Sequence, residues 1–169
     1  MKKLYPGEQG VFVQYLQLAL QRAGNSIVVD GIFGKNTCSA VEKFTGKSGG
    51  CTVDDETWKL LLPYLKGYTT HLVEKDDSIY GIAKMYGVAE QAVLQANPNV
   101  ESNNLNIGTL LIVPFNFELV PDNVLYTSFL VEWIVDGLQA RYPYLKTGSL
   151  GRSVMGSELL YLNLISNIL

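Results

Sequence analysis

From Gly10 to Gly24 the apolar residues Val13, Leu16, Leu20 and Ala23 recur at helical spacing, with Gln14, Gln17, Gln21 and Arg22 facing away. Gly24 is a natural C-terminal stop, so the pattern predicts a first helix. After a turn-rich stretch, Thr37, Ala40, Val41 and Phe44 follow at i, i+3, i+4 and i+7 and Gly46 closes them, predicting a second. Thr52, three residues before Asp55, has the spacing of an acidic capping box ahead of Trp58, Leu61 and Leu65, predicting a third. The texture then changes. Thr69 to Val73 alternates like a short strand, and Asp76-Asp77-Ser78 leads into Ile79, Ile82, Ala83 and Tyr86 at helical spacing, stopped by Gly87. Another helix, Ala89 to Ala96, ends at Asn97-Pro98, because proline biases the residue before it out of helix. A strand from Leu110 to Val113 stops at Pro114. Beyond Phe117, the stretch 126–141 is apolar on nearly every side, as in a helix meant to be buried. Leu150 to Val154 and Glu158 to Ile165 then flank a Met155-Gly156 turn, with Leu160, Leu162 and Leu164 alternating as in a hairpin.

Composition narrows the function classes. The 169 residues are 47% hydrophobic and 17% charged, a globular balance. A net charge of −3 argues against nucleic acid or an anionic membrane as the main partner, since both are gripped by clustered Lys and Arg. No apolar run is long enough to span a bilayer. Met1-Lys2-Lys3 has the basic start of a signal peptide but meets Pro6 and Gly7 where an apolar core belongs, so Sec export is not expected. Cys38 and Cys51 lack metal-ligand spacing and read as two free, partly buried thiols ahead of the alternative, a single disulfide between them.

Three resemblances follow. Gly10-Val11, Leu16-Gln17, Asp30-Gly31-Ile32-Phe33-Gly34-Lys35-Asn36-Thr37, Ala40-Val41, Phe44 and Thr57-Trp58 resemble the peptidoglycan-binding domain type 1 family over residues 4–65. Tyr68, Asp77-Ser78-Ile79, Ile82-Ala83, Tyr86-Gly87-Val88, Ala96-Asn97-Pro98-Asn99, Leu105, Gly108 and Leu111-Ile112-Val113-Pro114 resemble the LysM family over 68–114, with Asp76 where that family usually has glycine. That likeness implies binding of N-acetylglucosamine-containing glycan, peptidoglycan or chitin, in a groove formed by Asp76, Asp77, Ser78 and Ile79 on one side and Asn97, Pro98, Asn99 and Val100 on the other, Ile79 and Pro98 supplying the apolar pocket. Arg141-Tyr142-Pro143 and Leu150-Gly151-Arg152-Ser153-Val154-Met155-Gly156 resemble the start of zinc carboxypeptidase domains, in particular γ-D-glutamyl-diaminopimelate endopeptidases, with Ser157 where that family continues with Arg. The implied fold is α+β: a three-helix bundle (residues 1–66), a βααβ module (67–116) and a partial α/β peptidase fragment of helix plus hairpin (117–169).

Catalytic chemistry is not expected in these residues. A catalytic zinc needs three protein ligands, and the single histidine, His71, reads as a surface or hydrogen-bond-satisfied residue of a strand. The peptidase family's ligands would fall beyond residue 169, so no cofactor is expected here and zinc only in a longer enzyme. Ser or Cys catalysis lacks an adjacent base. Paired Asp54-Asp55 and Asp76-Asp77 read as helix-start residues. The readings left standing are a wall-binding targeting protein, the N-terminal part of a zinc-dependent peptidoglycan hydrolase, and a structural interaction protein. Localisation at the cell wall or spore envelope is expected. So is either docking of residues 117–169 onto the earlier modules or self-association through them, because Phe129, Trp133, Ile134, Leu138, Leu160, Leu162 and Leu164 need cover.

Overall fold

The computed structural model describes residues 1–102, 105–152, 156 and 158–164. It is a mixed helix and strand structure that divides into two compact units, one of residues 1–65 with 120–126 and one of 66–119 with 127–169.

The first unit holds α1 (Val11–Arg22), α2 (Lys35–Thr45) and α3 (Asp55–Lys66, its last residue counted with the second unit). Val13, Leu16 and Leu20 of α1, Val41 of α2 and Trp58, Leu61 and Leu65 of α3 are buried as their periodicity predicts, with Leu4 and Val53 joined by an isolated antiparallel bridge. Three expectations are corrected here. Gln17, expected to face away, is 1% exposed, because α1 is covered on more than one side: every residue from Tyr15 to Leu20 is buried. Its amide nitrogen donates to Asp30 Oδ1 (2.7 Å), the Ile32 carbonyl (3.1 Å) and Thr37 Oγ1 (3.0 Å), while its oxygen accepts from Gly31 N–H (2.7 Å). The Asp-Gly-Ile-Phe-Gly turn is therefore fastened to two helices by one amide. Second, α3 is capped by Asp54 rather than Thr52: its carboxylate accepts from the Thr57 N–H and hydroxyl, both at 2.8 Å. Third, Cys38 and Cys51 form a disulfide, Cα to Cα 5.0 Å. Gly46 ends α2 in left-handed backbone, and the chain after it comes back along α2 far enough to reach Cys38, a proximity that spacing along the chain does not encode. Residues 120–126 belong to this unit through Leu125, whose carbonyl accepts from Tyr15 Oη (2.8 Å) and whose N–H donates to Gln14 Oε1 (3.1 Å).

In the second unit β1 (Tyr68–Leu72) pairs antiparallel with β2 (Leu110–Pro114), from Tyr68 opposite Pro114 to Leu72 opposite Leu110. Between them lie α4 (Ile79–Tyr86) and α5 (Glu90–Ala96). Val73, Ile79, Ile82, Ala83, Val93, Leu111 and Val113 form the core, with Tyr86, Val88, Leu94, Val100 and Leu105 packed against it. α6 (Ser128–Arg141) buries Leu130, Ile134, Gly137 and Ala140, a single stripe, and packs on β1, β2 and α5. Contact is close at Gly137, where a Cβ would stand 1.9 Å from the Lys66 carbonyl oxygen, so only glycine admits this approach. Asp136 accepts from Lys66 Nζ (2.7 Å) and Tyr68 Oη (3.1 Å). Burial alone would lower the Lys66 ammonium, but the Asp136 carboxylate outweighs it and the net shift is upward. Ile134 is thus covered within its own unit, while Phe129 stays 52% exposed.

The hairpin consists of β3 (Leu145–Arg152) and β4 (Glu158–Leu164), paired antiparallel. β3 begins five residues earlier than its alternation suggests. Gly148 interrupts the pattern, and Tyr161, directly opposite, fills that space: a Cβ on Gly148 would lie 2.4 Å from its ring. The expected Met155-Gly156 turn lies, apart from Gly156, outside the described residues, and of Leu160, Leu162 and Leu164 only the backbone pairing is described.

Candidate functional site

In the second unit an antiparallel pair leaves its two long connections together. The chain leaves β1 at Leu72 and enters β2 at Leu110, and these residues are opposite each other, so residues 73–78 and 105–109 emerge at one end of the sheet. Val73 extends the pairing, donating to the Thr109 carbonyl (2.9 Å) and accepting from Gly108 N–H (2.8 Å). Ile79 and Val100, one from each side, pack into a common core.

The first segment is a tight, locally bonded turn. Asp76 sits in left-handed backbone at φ 70, the sole non-glycine at positive φ among the described residues. Aspartate tolerates that region better than most side chains, and glycine would hold it without strain. Asp77 Oδ2 accepts from Glu74 N–H (2.8 Å) and lies 2.9 Å from His71 Nε2. These contacts, His71 first and the Glu74 amide next, hold its carboxyl below the usual range. The other ring nitrogen of His71 is 3.2 Å from Tyr86 Oη, so its expected role as a satisfied strand residue has named partners. Ser78 caps α4, its hydroxyl accepting from Gly81 N–H (3.0 Å).

Between α5 and β2, Asn97 is the fastener. Its amide nitrogen donates to the Val93 (2.7 Å) and Ile112 (2.8 Å) carbonyls, and its oxygen accepts from Ile112 N–H (2.9 Å). All of its polar reach is spent on joining the end of α5 to β2. Pro98 and Asn99 are exposed, and Val100 is half-buried.

Residues 71–114 match the LysM domain family. This part of the chain is a LysM domain. Such domains are general peptidoglycan- and chitin-binding modules. No curated protein matches the chain.

Within the LysM domain, the residues singled out from sequence divide by what they can offer. Asp76, Ser78, Pro98 and Asn99 are exposed beside the paired loops, and Asp77 and Val100 are partly so. Ile79 does not provide an apolar pocket wall: it is 2% exposed and belongs to the core, because the first residue after the Ser78 cap points inward on α4. Sequence reasoning missed the surface apolar residues at this end, Leu72 and Leu110 opposite one another and Ile107, exposed by 56%, 63% and 69%. Strand alternation could have flagged Leu72 and Leu110, since Val73 and Leu111 beside them face the core. Among the described residues, no group of three or more His, Cys, Asp or Glu is placed to hold a metal ion. No helix there is long and apolar enough to cross a membrane.

Proposed function

We propose that this protein is a cell-wall-associated glycan-binding protein that holds N-acetylglucosamine-containing glycan at the paired-loop end of its LysM domain. The observation that carries the reading is the family match over 71–114 on a βααβ module whose two connecting loops share one end. Exposed backbone of 76–78 and 98–99 would donate to and accept from N-acetyl groups. Pro98, with Leu72, Leu110 and Ile107 as apolar surface, would replace Ile79 as the support for sugar faces. Asp77 and Asn97 then act by holding the loops, each bonded within the protein.

The first unit is the second half of this reading. Its three helices, and the Asp30-to-Thr37 turn anchored by buried Gly31, Phe33 and Thr37, fit a peptidoglycan-binding module of the type the sequence resembles, and the Cys38–Cys51 bond suits an oxidising site outside the cytoplasm. Two weak modules on one chain would bind a polymer better than either alone, because the second contact forms at an effective concentration near ~1 mM. Titration with chitooligosaccharides and co-sedimentation with purified sacculi test the proposal. Binding by the whole chain that weakens on Pro98→Asp is expected, and no binding above an unrelated acidic protein would overturn it.

A further inference from the structure

A cleft of about 170 Å³ opens at the other end of the LysM sheet, away from the paired loops. It is lined by Val88 and Ala89 between α4 and α5, Ala92 and Gln95 of α5, the residues Pro114 to Asn116 that end β2, and Arg141 and Tyr142 closing α6. Its chemistry is uneven. One side is apolar, with Ala89 and Ala92 its smallest side chains, two primary amides stand on the rim, and one cation lines it.

That cation is the informative feature. Arg141 is positioned by Nη2, which donates to the carbonyls of Phe115 (2.8 Å), Phe117 (3.1 Å) and Gly67 (3.3 Å), and by the Phe117 ring, 5.8 Å from the guanidinium carbon. Nε is buried without a partner. Nη1 has no acceptor, and no carboxylate pairs with the guanidinium, among the described residues. Burial draws its pKa down, yet a guanidinium stays protonated in proteins, so an uncompensated positive charge remains at the cleft. A half-buried charge fixed in place, with Nη1 still free to donate, is disposed to bind an anion such as a carboxylate through a charge-assisted hydrogen bond.

We propose that this cleft is a binding site for the free C-terminal carboxylate of a short peptide with alanine-sized side chains. Arg141 Nη1 takes the carboxylate, Ala89 and Ala92 accept the methyl groups, and the amides of Gln95 and Asn116, each both donor and acceptor, complement the peptide bond. The site is separate from the glycan loops and its occupancy does not depend on glycan binding.

The test is a titration of the full chain with N-acetyl-alanyl-alanine and with the same dipeptide as its C-terminal amide, followed by amide-resolved NMR. The acid should shift the resonances of Ala89, Ala92, Asn116 and Tyr142 saturably in the millimolar range, and the amide should not. Ala92→Glu, which supplies a carboxylate from the cleft wall and leaves the Nη2 bonds intact, should abolish the response in a folded protein. Arg141→Lys should weaken it by about ten-fold, the loss expected for a charge-assisted hydrogen bond. Equal shifts from acid and amide, no shift at these residues, or undiminished binding by a folded Ala92→Glu protein would overturn the proposal.

Discussion

Two buried or half-buried side-chain amides, Gln17 in the first unit and Asn97 in the second, do similar work in different surroundings. Gln17 lies at 1% exposure in the middle of a helix and gathers a turn, Thr37 of α2 and the Asp30 carboxylate around itself. Asn97 is half-buried at a helix end and joins α5 to β2 through backbone groups. The first unit adds a disulfide, whereas the second adds a third layer, with α6 laid on the LysM sheet at Gly137 and Arg141. Units of this size are only marginally stable on burial alone, and each carries its own supplementary fastening. The difference teaches where each is vulnerable: the first through one polar hub and one covalent link, the second through the fit of a helix.

The two tryptophans fall one to each unit, Trp58 and Trp133, so single-tryptophan variants read the units separately. The largest effect is expected from Gln17→Leu, which strands the Gly31 N–H and loosens Asp30 and Thr37. It should cost about 3 to 5 kcal/mol in urea unfolding followed at Trp58, since each buried polar group left unpaired costs about 1 to 3 kcal/mol. An equal loss at Trp133 would break the claim that the amide serves its own unit. Next, Gly137→Ala should cost about 3 kcal/mol at Trp133, because the clash is with a backbone oxygen and α6 must move. A variant as stable as the parent would show that α6 does not need this approach. Replacing Cys38 and Cys51 together by serine should lower stability at Trp58 by about 3 kcal/mol, the chain-entropy value for a loop of this size.

The smallest effect is one of pH and sharpens the parallel between the units. The Asp30 carboxyl is lowered first by the Ile32 N–H and then by Gln17, as that of Asp77 is by His71 and Glu74. Because both folded values lie below the unfolded value of about 3.9, their contribution is complete above that pH and disappears as pH falls through the folded values. Thermal midpoints of Asp30→Asn and Asp77→Asn should therefore lie below the parent's at pH about 6 and approach it progressively as the pH is lowered below the unfolded value. A gap that persists in acid would mean that the carboxylate charge is not what these turns use.

Most of the helices and the βααβ order were legible in the sequence because their causes are local. The stripe Thr37, Ala40, Val41 and Phe44, the Ser78 cap and the stop at Gly87 each depend on residues within one or two turns. The LysM motif residues are of the same kind, and the family match over 71–114 agrees with them. What only the tertiary structure decided involves partners far apart along the chain. Gln17 reads as a surface residue until a turn thirteen residues away closes over it, Cys38 meets Cys51 only after α2 ends, and Ile79 is core because Val93 and Leu111 are there to receive it. Arg141 could not be read as more than a basic helix end, since its three carbonyl acceptors lie up to 74 residues away. Periodicity reports which side of an element is apolar, but the partner that side or a polar group meets is set by which segments the fold brings within hydrogen-bonding and contact distance.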